Sequence, residues 1–159
     1  MMNTTDLCDD YIEEIKVALP IGLQDFGDKK SFYGEIVSIK CFENNPLIRE
    51  VLSKDGSGKV LIVDGGASLR CALMGDNIAE MALENHWEGI IINGCIRDRI
   101  AISKLNIGVK ALNVNPAKSF KNESGDLNIK VNFANVDFIP GNFVYADEDG
   151  IVVSQRKLH

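Results

Sequence analysis

Two short apolar runs constrain this chain more than any other feature in it. Val60-Leu61-Ile62-Val63 and Ile90-Ile91-Ile92 are unbroken by polar residues, and each leads into glycine, at Gly65-Gly66 and at Gly94. A run with no polar alternation must be covered on both faces, and these are too short for a buried helix. They read as strands over 59–66 and 88–95. Between them, Gly75-Asp76 opens a segment reaching about Asn85, with Ile78, Met81, Ala82 and Asn85 on one helical face. Strand, helix and strand in that order predict a layered α/β domain with mixed sheets. In such folds, ligands gather at the carboxyl ends of strands beside helix N-termini. Two segments meet that description, 64–78 and 93–99.

The remaining chain fits around this unit. Thr4 or Thr5 suits a helix cap, and Leu7, Tyr11 and Ile15 share four-residue spacing, so a helix is expected over 4–16. Residues 17–30 contain Pro20, Gly22 and Gly27 and read as irregular connection. Residues 33–42 place Val37, Ile39 and Cys41 on one side of a strand. Asn45-Pro46 starts a short helix over 46–53, with asparagine as cap and proline first. Asp55-Gly56-Ser57-Gly58 is a turn. Further strands are expected over 108–114 and 129–133, and 142–147 pairs with 150–155 as a hairpin across Asp147-Glu148-Asp149-Gly150. With no repeat and no low-complexity tract, residues 1–159 read as a single domain.

Composition removes several function classes. A net charge of −6 and a pI near 4.9 disfavour direct contact with nucleic acid, and no basic stripe offsets them. No apolar stretch approaches the roughly 18 residues needed to cross a bilayer, so no membrane association is expected. The first residues lack a basic region followed by an apolar one, and a cytoplasmic location is expected. Cys8, Cys41, Cys71 and Cys95 form no CxxC and read as reduced thiols, mostly packed inside. His86 and His159 are the only histidines, which argues against a His/Cys zinc site. A metal here would be held by carboxylates and water, which favours Mg²⁺ or Mn²⁺.

Gly56-Ser57-Gly58-Lys59-Val60 has the look of a phosphate loop. The full pattern would require glycine at 53 and serine or threonine at 60, where Ser53 and Val60 stand. Asp64-Gly65-Gly66-Ala67-Ser68 follows a strand but lacks GxGxxG, and reads as a tight turn. Asp76 stands at a helix start, where free N–H groups and the dipole favour a carboxylate ligand, although an aspartate there also serves as an ordinary cap. Arg97-Asp98 lies just past a buried strand, where a surface ion pair is the plain alternative. Together Asp76, Arg97 and Asp98 supply an anion-binding fork, a hard metal ligand and a carboxylate for proton handling.

At these residues the chain resembles the RraA-like family, which includes class II 4-hydroxy-4-methyl-2-oxoglutarate aldolases and regulators of ribonuclease E activity. The resemblance rests on Asp76, twenty intervening residues, then Arg97-Asp98. It extends through GDNIAEMA at 75–82, INGCIRD at 92–98 and PGNFVYADEDGIVV at 140–153, and covers nearly the whole chain. TTDLCDDY and SFYGEIVSIKCFENN look like the shorter, regulator-named branch. The resemblance implies a compact β/β/α domain of the swivelling-domain type, assembled as a ring-like homotrimer with its active site at the subunit interface. It implies that the backbone of Gly75, Asp76, Asn77 and Ile78 binds the carboxylate of a small 2-oxo acid and that Arg97 grips the same substrate. It further implies that Asp98 holds Mg²⁺ or Mn²⁺ and that Asp76 orients a water on that metal. The implied activity is aldol cleavage to pyruvate, with oxaloacetate decarboxylation. The alternative is docking on a ribonuclease E-type partner. A quinone methyltransferase, an old label in the family, finds no methyl-donor motif here. Pro140-Gly141-Asn142 stands where many relatives carry Pro-Gly-Asp.

Overall fold

The computed structural model describes residues 3–122 and 124–159. Its elements, in chain order, are α1 (Thr4–Tyr11), β1 (Ile15–Val17), β2 (Gln24–Asp25), β3 (Phe32–Lys40), α2 (Pro46–Leu52), β4 (Lys59–Asp64), β5 (Ala72–Met74) and α3 (Asp76–Glu84). They continue with β6 (Gly89–Ile96), α4 (Arg99–Ile102), β7 (Gly108–Val114), β8 (Asp126–Leu127), β9 (Val131–Phe133), β10 (Val136–Phe138), β11 (Phe143–Asp147) and β12 (Gly150–Ser154).

The apolar run of β6 is buried at every position and lies inside the main sheet, whose order is β1-β12-β11-β3-β4-β6-β7-β2. Strands β3, β4, β6 and β7 are parallel neighbours joined through α2, α3 and α4. The β11–β12 hairpin and β1 extend one side antiparallel, in the expected 142–155 region. Alternation along β4 decides the layers. Leu61 and Val63 point to a core with Ile48 and Leu52 of α2 and Ile78, Ala79 and Ala82 of α3. Val60 and Ile62 point the other way, onto Val131, Phe133, Val136 and Phe138 of the separate β9–β10 ribbon. Ribbon, sheet and helices make a mixed α/β domain with β/β/α layering, as expected.

Several expectations change. The helix over 4–16 stops at Tyr11, and Ile15 begins β1, paired with Ser154. Leu7 and Ile15 still reach the same cluster, with Tyr145 and Val152, but Ile15 arrives there from a strand. Pairing with a sheet edge overrides helical spacing here. The 17–30 connection contains the short β2, the 59–66 strand ends at Asp64, and the 129–133 strand starts at Val131. Asn45 stands at the α2 cap position without a capping bond from its side chain, which is used elsewhere. No helix of the described residues is long and apolar enough to cross a membrane.

Candidate functional site

The site forms where β5 and β6 end beside the start of α3. Strand β5 pairs with β6, placing Met74 against Ile96, and the Met74 carbonyl accepts the backbone N–H of Arg97 at 3.0 Å. The chain leaving β5 and the chain leaving β6 are therefore held side by side. Gly75 then closes the gap between them. A Cβ at that position would lie 2.5 Å from Oδ2 of Asp98 and 3.4 Å from Cγ of Arg97. A side chain at 75 would displace the Asp98 carboxylate, so glycine leaves room for it against the start of α3.

The carboxylate of Asp98 accepts the backbone N–H of Asp76 at 3.1 Å. It thus satisfies one of the N–H groups that a helix start leaves without an intrahelical partner. Asp98 itself has φ of 62° and ψ of 43°, a left-handed conformation uncommon in residues other than glycine but more accessible to aspartate and asparagine. Sparsely populated backbone of this kind concentrates at functional sites. Asp76 occupies the first helical position and Gly75 holds the cap, so α3 has no side-chain cap among the described residues. The Asp76 carboxylate still lies in the first turn of α3, where the helix dipole favours negative charge. Arg97 is half-buried, and among the described residues its guanidinium makes one long contact, to the Pro116 carbonyl at 3.4 Å. Neither Arg97 nor Asp98 forms an ion pair among the described residues.

Gly75, Asp76, Asn77, Ile78, Arg97 and Asp98 all line one pocket. The residues singled out in the sequence are thus brought together. The same pocket is walled by residues the sequence reading passed over: Asn45 and Arg49 from α2 and its cap, and Lys118, Ser119 and Lys121 from the segment after β7. Arg49, Arg97, Lys118 and Lys121 face two carboxylates, so the pocket is locally positive inside a chain of net charge −6. An anionic ligand is what this charge pattern can bind.

The donor set suits a hard divalent cation held partly by protein. Among the described residues, the Asp76 N–H is the single hydrogen-bond donor to the Asp98 carboxylate, which leaves its second oxygen open. No group of three or more His, Cys, Asp or Glu gathers anywhere among the described residues, so these side chains build no all-protein cage. One or two carboxylates instead fit Mg²⁺ or Mn²⁺, which retain water and add substrate oxygens to such a partial set.

The turn over 64–68 is closed on itself. The N–H groups of Gly65 and Ala67 both donate to the Asn93 carbonyl at 3.1 Å, and that of Gly66 donates to Oδ1 of Asp64 at 3.0 Å. Its amides are spent within the fold, as the tight-turn reading expects. All four cysteines are free thiols, with Cys41, Cys71 and Cys95 buried. Burial, followed by the nearby Asp64 and Cys71, pushes the Cys41 thiol up to about 12, which leaves it unreactive.

Comparison with known proteins gives a consistent family result. The model of the RraA-like family, described as Aldolase/RraA, matches residues 4–153. A Pseudomonas aeruginosa protein provisionally named 4-hydroxy-4-methyl-2-oxoglutarate aldolase is 54% identical over 155 residues, covering 98% of this chain and 95% of that protein. A Geobacillus kaustophilus structure titled as an S-adenosylmethionine:2-dimethylmenaquinone methyltransferase superposes with a TM-score of 0.96 at 43% identity, covering 99% of this chain and 97% of that one. The structure titled as the RNA-processing inhibitor RraA from Thermus thermophilis superposes with a TM-score of 0.95 at 39% identity, covering 100% and 96%.

Proposed function

Because the chain belongs to the RraA-like family, we propose that it is a divalent-metal-dependent lyase that cleaves 4-hydroxy-4-methyl-2-oxoglutarate-type aldols to pyruvate and also decarboxylates oxaloacetate. The observation that carries this reading is the meeting of Arg97, Asp98, Asp76 and the α3 N-terminus in one cationic pocket. The name of the Pseudomonas aeruginosa relative points to the same substrate.

The reaction breaks the bond between C3 and C4 of the substrate. Its electron pair stays on C3 as a pyruvate enolate, while the 4-hydroxyl loses its proton and C4 becomes the ketone of the second oxo acid. The N–H groups of Asn77 and Ile78, in the first turn of α3, would take the carboxylate of the 2-oxo acid, assisted by the helix dipole. The Arg97 guanidinium offers two parallel donors to the same group and a positive charge to the developing enolate. Asp76 is the carboxylate available to receive the hydroxyl proton, directly or through water, and to return one to C3. Asp98 would hold the metal, which supplies Lewis acidity at the 2-keto oxygen. Loss of CO₂ from oxaloacetate leaves the same enolate and uses the same groups. None of these steps calls on a lysine Schiff base.

The active species in this proposal is a homotrimer, with a neighbouring copy closing the open side of the pocket. The test is pyruvate release from oxaloacetate and from the aldol, with and without Mg²⁺, in the wild type and in Asp98→Ala. Metal-stimulated release should vanish in the variant, with the fold intact by circular dichroism. Unchanged turnover in that variant or in excess chelator would refute the assignment. A second reading is a protein that docks on a ribonuclease, favoured by similarity to the Thermus thermophilis inhibitor. Inhibition of a ribonuclease E-type enzyme that survives Asp98→Ala would support this role, alone or beside the lyase activity.

A further inference from the structure

Asp98 keeps its left-handed backbone, with φ of 62° and ψ of 43°, because the chain is held on both sides of it. On the β6 side, the N–H of Arg97 donates to the Met74 carbonyl at 3.0 Å. On the other side stands α4, only four residues long. A helix this short does not persist by itself, since its few hydrogen bonds repay little of the cost of nucleation. Yet it fixes the far side of Asp98, whose carbonyl accepts the N–H of Ile102 at 3.0 Å. Whatever holds α4 therefore also holds Asp98 in a conformation that it would otherwise leave.

The segment that follows β2 holds α4. Ile102 and Ile107 are fully buried and share a core with Phe26. The N–H of Asp28 donates to the Leu105 carbonyl at 3.0 Å, and that of Phe26 donates to the Val109 carbonyl at 2.8 Å. Residues 26–28 are thus bonded to the chain on either side of Ile107. Gly27 passes so close that a Cβ there would collide with the Ile107 carbonyl oxygen. At the start of α4 the contact is made by side chains. The Arg99 guanidinium carbon lies 5.3 Å from the centre of the Phe26 ring. Phe26 is 3% exposed, so its ring is a fixed platform, whereas Arg99 is exposed and is steadied by the ring beneath it. Arg99 immediately follows Asp98, and both border the open cleft beside Asp76.

We propose that Phe26, acting through Arg99, is a positioning residue for Asp98. The contact between ring and guanidinium pins the start of α4 and keeps the Asp98 carboxylate turned toward the Asp76 N–H, ready for a divalent cation. The assignment rests on the lyase reading, which gives Asp98 that role. Neither Phe26 nor Arg99 is a ligand in this scheme. Their contact raises affinity for the cation by sparing Asp98 a rearrangement when the cation binds. The sign is opposite to that of simple electrostatics. A guanidinium beside a cation site repels the cation, so if charge alone mattered, removing it would tighten binding.

Mn²⁺ binding to the full chain, read from free Mn²⁺ by electron paramagnetic resonance, tests this without turnover. Phe26→Leu leaves the charges in place but removes the ring, and Arg99→Ser removes the cation above it. Each should weaken Mn²⁺ binding by about threefold or more, the scale of one exposed cation–π contact. Arg99→Lys, which can still set a cation over the ring, should stay within about twofold of wild type. At saturating Mn²⁺, pyruvate release by all three variants should return to within about twofold of wild type, because the reacting groups are untouched. Thermal melting checks the fold, and Arg99→Ser, at an exposed position, keeps the test open if Phe26→Leu unfolds. Unchanged or tighter Mn²⁺ binding by Arg99→Ser overturns the positioning role and leaves the lyase reading standing. Equal weakening in Arg99→Lys and Arg99→Ser does the same. If wild type binds no Mn²⁺ and releases no pyruvate, both readings fall together.

Discussion

Among the described residues, the Arg97 guanidinium makes a single hydrogen bond, 3.4 Å from the Pro116 carbonyl. An exposed contact of that sort contributes only about 0–1 kcal/mol to folding, so Arg97→Lys should leave the melting temperature nearly unchanged. The same change removes the planar pair of donors that a substrate carboxylate needs. We expect kcat/KM for oxaloacetate at saturating Mg²⁺ to fall by at least about tenfold, or roughly 1.4 kcal/mol of transition-state stabilisation. A lysine variant with wild-type kcat/KM removes Arg97 from the reaction. One that loses activity only by melting makes the residue structural. Gly75→Ala tests the neighbouring contact. Its Cβ would meet Oδ2 of Asp98 at 2.5 Å, so the carboxylate must swing away from the Asp76 N–H. Half-saturation by Mg²⁺ should rise by about tenfold or more, read from pyruvate release, whereas an unchanged metal dependence would clear Asp98 of that role. Asp76, Arg97 and Asp98 were legible in the sequence because each sits at the end of a strongly patterned element. Arg49, Lys118 and Lys121 were not, since α2 and the segment after β7 carry no shared motif and only the fold makes them neighbours.

Among the elements, α1 shows how a short helix is held by one buried carboxylate. Thr4 donates both its backbone N–H and its hydroxyl to Asp147, at 2.7 and 2.6 Å, across 143 positions of sequence. Burial alone would raise the Asp147 carboxyl, but the donors from Thr4, Asp149 and Gly150 outweigh it and hold the group below its ordinary 3.8. A carboxyl depressed in the folded state adds stability above its unfolded pKa and loses it as pH falls through the lower folded value. Asp147→Asn should therefore cost about 1–3 kcal/mol in urea unfolding at pH 7. The gap to wild type should narrow as pH falls below 3.8. A gap independent of pH would mean that charge contributes nothing to the anchor. Sequence patterning located β4, α3, β6, β7 and the β11–β12 hairpin because each is long enough to show its period. It passed over β1, β2, β5, β8 and β10, which have two or three residues apiece and exist only through pairing with other strands. The same limit extended α1 to residue 16. Ile15 continues the spacing of Leu7 and Tyr11, and nothing local reveals that Ser154 claims it for the sheet.

At the scale of the whole molecule, the pocket borders a patch of exposed apolar side chains. Phe120 is 68% exposed between Ser119 and Lys121, Phe42 is 53% exposed and Leu69 is 57% exposed. They belong to one surface. Phe120 pairs with the Glu43 segment, Arg70 lies over the Phe42 ring at 5.6 Å, and the Leu69 carbonyl accepts the Asn115 side chain at 2.7 Å. Covering such side chains is worth about 1.5–3 kcal/mol each, enough to matter within an interface of about 1,200–2,000 Å². A second copy seated there would wall the pocket beside Ser119 and Lys121 and keep water from the enolate. Phe120→Glu places a charge in the centre of that surface while leaving the monomer core untouched. By light scattering, wild type should have the mass of a trimer and the variant that of smaller species. Pyruvate release should fall with the lost assembly, at little change in secondary structure, and should recover as protein concentration is raised. Turnover that is undiminished in a monomeric Phe120→Glu protein would show that each chain carries a complete site, and would remove the neighbour from the reaction.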